Sequence, residues 1–594
     1  MTVTAPAARS GLRALLRPVA LLAIVAVAPP AFAADRPVRA ERQMVVTANP
    51  HATEAGIEIL RAGGSAVDAA IAVQLVLSLV EPQSSGVGGG AFMLVYDAPD
   101  AGEGAVASSA RPAELIAYEG REAAPAAATP DMFLNEDGTP MSFAQAAAGG
   151  LAVGVPGVMR MLEMAHREHG RLPWADLFAP AIELAEQGFE VSPRLHFLLD
   201  GFARFARGEK FRRMFYDEHG EARPTGYRIV NEEYAATLRL LAANGVEPMY
   251  TGELARAIVD EVRNNPLTPG RLTLEDMAAY RARETSPLCT PYRAWRVCGP
   301  RLPSSGGVTV QEILGILESF DLPAEASNEA RAIHLVAEAS RLAFADRNLY
   351  LADPAFVEAP VEGLLSPAYL RERAALIDPE RAAPRVAPGR PQPQIAWEYA
   401  SATPHKRPST SHFSIVDAFG DAVAMTTTVQ STFGSQLMVG GFLLNNQLTD
   451  FEFEPEVDGR PVANRAEGGK RPLSSMAPTL VLDQPGRLRL VIGSPGGIRI
   501  INYVAQAIIE VLDFGSDVQA AVAAPHFVAQ DGPLELESRT AILELRDELG
   551  AMGHRVIART LNSGLHGIEI EYTDEGRVLY GGADPRREGV ALGD

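Results

Sequence analysis

Thr410 opens the stretch with the most pointed chemistry, Pro408-Ser409-Thr410-Ser411-His412-Phe413-Ser414-Ile415-Val416-Asp417. A Pro-rich polar segment precedes it. Two alternating, β-branched runs follow, His412 to Asp417 and Ala422 to Val429, joined by Phe419-Gly420-Asp421. The spacing predicts a hairpin with its turn at Gly420. A hydroxyl residue at the first position of a buried strand has a specific chemical use. Cutting the Ser409–Thr410 bond would give Thr410 a nucleophilic hydroxyl and a free α-amine on one residue. An α-amine ordinarily titrates at about 7.7–8.0, so it can serve as a base near neutral pH, the Thr–N-terminal-amine form of an activated nucleophile. Acyl transfer also needs donors for an oxyanion. Gly496-Gly497, ahead of a helix predicted over Ile498 to Leu512, can offer backbone N–H groups with no side chain in the way. No Gly-x-Ser-x-Gly is present. No His, Cys or carboxylate spacing suits a metal, so no cofactor or metal is expected.

The elements that must position these residues are mixed. A short β-run is predicted from Gln43 to Ala48, with helices over His51 to Leu60 and Ala66 to Val80. The second helix is opened by Ser65 with Asp68 three residues on. Ser84 to Tyr96 passes from a Gly-rich turn into an apolar strand. It lacks the lysine of a phosphate loop and enters a strand, so close backbone packing is the better reading. Glu114 to Glu119 is a predicted strand leading to Arg121. Helices are predicted over Val158 to His169, Pro173 to Gln187, Glu232 to Asn244, Gly252 to Asn265, Val308 to Phe320 and Glu329 to Leu351. His334 in the last reads as a satisfied core histidine. Residues 383–409 lack periodicity and read as a mobile connector. Beyond the hairpin, Gly441 to Asn446, Pro478 to Leu482 and Arg487 to Ile492 read as strands. Hairpins without regular βαβ spacing imply an α+β fold of mixed or antiparallel sheets packed with helices.

Composition narrows the class. The chain has 594 residues, 47% apolar and 21% charged, enough to bury a sizeable core. Its formal net charge is −21 with no long basic run, which argues against nucleic acid as a partner. Arg9, Arg13 and Arg17 precede an apolar run from Val19 to Ala28 and then Ala31-Phe32-Ala33. That order is a signal peptide (1–33) cut after Ala33, implying a periplasmic or secreted protein with no stable membrane span after removal. Losing its three arginines would leave the mature chain near −24. Cys289 and Cys298 are the only cysteines. A disulfide and two free buried thiols are both open readings.

The Thr410 stretch resembles the γ-glutamyltransferase (glutathione hydrolase) family of N-terminal-nucleophile hydrolases. The resemblance rests on Thr410-Ser411-His412-Phe413-Ser414-Ile415, Gly420, Val423, Thr426-x-Thr428-Val429 and Phe433-Gly434. Distant patches in family order add to it: Ser84 to Met93, Gly120-Arg121-Glu122-x-x-Pro125, Leu444-Asn445-Asn446-Gln447, Lys470 to Met476 and Gly493 to Gly497. Together they span the chain from Gln43 to its C-terminus.

The resemblance implies a four-layer αββα sandwich shared by two pieces of one precursor, a large subunit (34–409) and a small catalytic subunit (410–594), which form a heterodimer. It implies self-cleavage at Ser409–Thr410, then attack of Thr410 on the γ-carbonyl of glutathione or another γ-glutamyl compound. Water, or an amino-acid or peptide acceptor, would resolve the ester. Thr428 would orient Thr410, with Gly496 and Gly497 as the oxyanion hole. Arg121, Ser474 and Ser475 would hold the substrate α-carboxylate, a guanidinium fork being the right shape for it. Asp450 and Gln447, helped by Gln430, would hold the α-ammonium, since a buried ammonium needs a carboxylate. Gln430 stands where the family usually has Asn or Glu. The loop from Asp450 to Ser474 is short and lacks the tyrosine of members with an aromatic lid. A more open site points to a rival, a cephalosporin or glutaryl amide acylase of the same superfamily. A non-catalytic homologue that binds amino acids is a second.

Overall fold

The structure is a computed structural model describing residues 36–99, 113–392, 399–402 and 409–594. The signal-peptide segment and parts of the connector (393–398 and 403–408) lie outside the described residues. The hairpin forms as its sequence predicts. Ser411–Val416 pairs antiparallel with Ala422–Thr428, and Gly420 sits at φ +103°, a backbone region that glycine adopts without strain. Asp417 Oδ1 closes the turn by accepting from the N–H groups of Phe419, Gly420 and Asp421 at 2.9, 3.0 and 3.0 Å.

Among the described residues, the hairpin lies inside one of two seven-stranded sheets. That sheet runs Val590–Gly593, Met44–Thr47, Ser411–Val416, Ala422–Thr428, Gly90–Asp97, Glu114–Gly120 and Arg283–Thr285, antiparallel throughout. The other runs Val38–Ala40, Gly576–Ala583, His566–Thr573, Leu488–Gly493, Thr479–Leu482, Trp295–Gly299 and Leu288–Tyr292, also antiparallel. Met44, Val46, Leu94, Val416, Ala424, Leu480, Val491 and Ile568 fill the space between the sheets. Helices Pro50–Arg61 and Ala66–Val80 cover the hairpin sheet, while Ser305–Leu317 and Ile500–Leu512 cover the other. The result is the αββα order. Each sheet contains strands from before and after Thr410, so either half alone would leave open strand edges and apolar faces.

Ala66–Val80 shows how sequence sets depth. All fifteen residues are buried, as expected for a helix apolar on every side. Ser65 and Asp68 make the predicted capping box at 3.1 and 2.9 Å. The predicted helix over Pro173 to Gln187 is instead a 3₁₀ turn, Trp174–Phe178, followed by Ala179–Gln187. Pro180 explains the break, because it donates no N–H and fits only the first turn of a new helix. Helices Pro193–Phe202 and Glu209–Phe215 escape the sequence reading. Only Leu195 and Leu199 of the first are buried, and its Phe197 is exposed, which blurs the 3.6-residue period. The strand expected over Gly441 to Asn446 shrinks to Phe442–Leu443. His334 is a core histidine, bonded to His554 Nε2 and Asp378 O, both at 2.8 Å. Cys289 and Cys298 lie directly opposite in a hairpin and form a disulfide.

Candidate active site

Hairpin register explains the first contact of the site. Ser411 pairs with Thr427, so the next position out sets Thr410 opposite Thr428, where cross-strand side chains meet. Thr410 Oγ1 donates to Thr428 Oγ1 at 3.1 Å, and Gln430 N donates to the same oxygen at 2.8 Å. Thr410 is almost fully buried at 4% exposure and holds φ +100°. A β-branched residue there is a genuine outlier; such strain costs on the order of 1–3 kcal/mol and persists only where surrounding contacts impose it.

Those contacts are visible on both sides of the Ser409–Thr410 bond. Ser409 Oγ donates to Gln83 O at 2.7 Å. The Ser409 carbonyl accepts from Gly496 N at 3.1 Å. The Thr410 carbonyl accepts from Arg587 Nη1 at 3.0 Å. Gly496 and Gly497 have φ +136° and +61°, and a Cβ on Gly496 would lie 2.8 Å from the Tyr503 ring, so glycine is required at this turn.

Arg121, Thr410, Thr428, Gln430, Gln447, Asp450, Ser474, Ser475 and Gly497 line one cleft, with Met476 and Ile500 as its apolar wall. Arg121 leaves the end of Glu114–Gly120 and is fully buried. Its Nε donates to Pro472 O at 2.9 Å, and Nη2 donates to Asp450 Oδ2 at 2.5 Å and Leu473 O at 3.2 Å. Gln447 Nε2 donates to Asp450 Oδ2 at 3.0 Å, and Gln430 Nε2 to Oδ1 at 3.2 Å. Among the described residues, Arg121 Nη1 and the Oε1 atoms of Gln430 and Gln447 make no hydrogen bond. Ser474 Oγ accepts from Met476 N at 3.1 Å, and Ser475 Oγ accepts from Arg347 Nη2 at 3.0 Å. Phe451 and Phe453 of the following loop pack with Phe133 and not over the cleft.

All the residues singled out from sequence are therefore brought together, though Gly496 meets the Ser409 carbonyl and does not line the cleft. Several neighbours were not foreseen. Glu122 is fully buried, its Oε2 3.7 Å from Arg121 Nη1. Burial pushes its carboxyl up to about 8, against the pull of the Arg121 guanidinium. Arg347 and Arg587 are buried cations reached from far along the chain. Only the position of Glu122 beside Arg121 offered a signal.

Two antiparallel sheets between helix layers, with a strained threonine at the head of a central strand, define the N-terminal-nucleophile hydrolase fold. The family profile described as Gamma-glutamyltranspeptidase matches residues 52–594, and the chain belongs to that enzyme family. A glutathione hydrolase proenzyme of Escherichia coli K12 is 36% identical over 562 residues, covering 93% of this chain and 91% of that protein. An acylase ACY 1 proenzyme of a Pseudomonas species (strain SE83) is 35% identical, covering 88% of each. The crystal structure of a cephalosporin acylase from Bacillus halodurans superposes with a TM-score of 0.80 at 27% identity, covering 96% of this chain and 98% of that one.

Proposed function

We propose that the protein is an exported, self-cleaving γ-glutamyltransferase that hydrolyses glutathione and related γ-glutamyl compounds or passes the γ-glutamyl group to amino acids or peptides. One observation carries the substrate class. The Arg121–Asp450 pair presents a guanidinium N–H, Nη1, with no hydrogen bond beside two amide oxygens with none. That set complements a zwitterionic amino-acid head, its carboxylate toward Arg121, Ser474 and Ser475 and its ammonium toward Asp450, Gln430 and Gln447. A glutaryl group has no ammonium and would leave the acceptors unpaired, a costly outcome in a buried site.

The chemistry has two stages. In the precursor, Thr410 Oγ1 attacks the Ser409 carbonyl, the peptide bond breaks, and its nitrogen becomes the Thr410 α-amine. Water then opens the resulting ester and releases a carboxylate on Ser409. The strained φ of Thr410 and the Gly496 N–H on the Ser409 carbonyl favour this step. Once Ser409 withdraws, Gly496 and Gly497 can serve the oxyanion of the second reaction. The α-amine takes the hydroxyl proton, Oγ1 attacks the γ-carbonyl, and the amine returns the proton to the leaving nitrogen. A γ-glutamyl ester on Thr410 remains for water or an acceptor. The pieces, 34–409 and 410–594, would stay together as a heterodimer because both sheets contain strands of each.

Intact-mass and N-terminal analysis of purified protein tests this reading. Two chains, one starting at Thr410, with γ-glutamyl anilide turnover are expected, and Thr410→Ala should give one uncut, inactive chain. A cut and active Thr410→Ala protein would overturn the mechanism. Faster cleavage of a glutaryl anilide than of its γ-glutamyl counterpart would favour the acylase reading, which a cleft lined by no aromatic among the described residues supports.

A further inference from the structure

Arg587 is held by its own contacts as firmly as it holds Thr410. Its Nε donates to Ser563 O at 2.6 Å while Nη1 donates to the Thr410 carbonyl at 3.0 Å. The residue is 5% exposed, and a Cβ on Gly564 would collide with its Nε. The result is a fixed cation on the backbone of the nucleophile, delivered just ahead of the C-terminal strand Val590–Gly593. Burial draws its pKa down to about 9, with Arg194 adding to the effect, so it stays charged at neutral pH.

We infer that Arg587 is a positioning residue for the nucleophile: it fixes the Thr410 carbonyl, and after the cut it keeps a positive charge beside the new α-amine, favouring the neutral, proton-accepting amine. This rests on the reading of Thr410 as an N-terminal nucleophile. The nitrogen and carbonyl oxygen of one residue lie within about 4 Å of each other, which places Arg587 within about 7 Å of the amine, near enough for repulsion in a buried setting. Glu81 and Asp584 act on Arg587 with opposite charge, and Arg194 adds a second positive charge. Asp584 is paired with Arg586 at 3.1 Å. Glu588 Oε1 accepts from Arg194 N at 2.9 Å. Burial pushes the Glu81 carboxyl up, which weakens it as a counter-charge despite Arg194 and Arg587. Arg121 and Asp450, in the cleft, neutralise each other. His412 and His566 are drawn down by burial and stay neutral.

The test compares full-length Arg587→Gln and Arg587→Lys with the parent. Self-cleavage is followed by intact mass, and the pH dependence of kcat/KM is measured with γ-glutamyl anilide. Arg587→Gln should self-cleave at least about tenfold more slowly, and the acid limb of its cut fraction should move up by about one pH unit. Arg587→Lys should keep the parent limb, because it keeps the charge. An Arg587→Gln enzyme with the parent limb, or an Arg587→Lys limb displaced as far as that of Arg587→Gln, would overturn the inference. If Arg587→Gln melts like the parent yet stays uncut, Arg587→Lys decides: cutting with the parent limb supports the role, and a folded, uncut protein refutes it. A parent that is cut and active while Arg587→Gln matches it throughout removes this inference alone. A parent that never cuts removes the Thr410 reading as well.

Discussion

Arg121 Nη2 and Asp450 Oδ2 meet at 2.5 Å across 329 residues of sequence, both side chains nearly or wholly sealed from solvent. Each charge is the partner that makes burial of the other tolerable. Asp450→Asn leaves the guanidinium without its counter-charge and should cost about 3–5 kcal/mol of stability. In protein that still folds, KM for a γ-glutamyl anilide should rise roughly 10- to 100-fold, with a smaller effect on kcat. Steady-state kinetics beside a urea titration check both.

Thr428→Val keeps the shape of the side chain and removes the oxygen that accepts from Thr410 and from Gln430 N. Both self-cleavage and kcat should fall, by roughly tenfold, with KM little changed. A time course of chain cutting would show whether one orienting contact serves both reactions.

Gly496→Ala introduces a methyl 2.8 Å from the Tyr503 ring at φ +136°. The turn must shift, withdrawing the N–H that meets the Ser409 carbonyl. Loss of one such donor typically lowers kcat by about 10²–10³. An uncut chain with near-normal melting is the expected outcome, seen by mass spectrometry and calorimetry.

Acid should destabilise the fold before it touches most carboxylates. Burial draws the imidazoles of His526 and His566 down to about 3. In the unfolded chain they would protonate near 6.5, so below that pH the unfolded state binds more protons. Stability from these groups is therefore complete above about pH 6.5 and falls as pH drops toward 3, on the order of 2 kcal/mol per histidine at pH 5. Asp584 acts in the same direction at lower pH. Burial would raise its carboxyl, but Arg586 and its hydrogen bonds hold it near 2, so its contribution fades below about pH 4. Urea midpoints measured from pH 8 to 4 check the trend.

The sequence was most legible where chemistry and local pattern coincide. Alternation around Gly420 placed Thr410 and Thr428 at one end of a hairpin, and two glycines ahead of a helix marked a place where backbone N–H groups are open. Arg121, Asp450, Ser474 and Ser475 were legible only through resemblance, since nothing local distinguishes a buried arginine from a surface one. Arg587 was not legible at all. Its contact with Thr410 spans 177 residues, and its neighbourhood is an ordinary polar turn before a final strand. The helices over 193–215 were lost for a related reason, being held by a few buried residues each and carrying weak periodicity.

The position of the disulfide has a practical consequence. Cys289 and Cys298 both precede Thr410 and join neighbouring strands of one hairpin. A cut at Ser409–Thr410 therefore leaves no covalent tie between the products. On a denaturing gel the mature protein should run as separate bands with or without reductant. In native buffer the same two polypeptides should co-elute, joined by interleaved strands, the apolar layer between the sheets and side-chain contacts such as the Arg121–Asp450 pair.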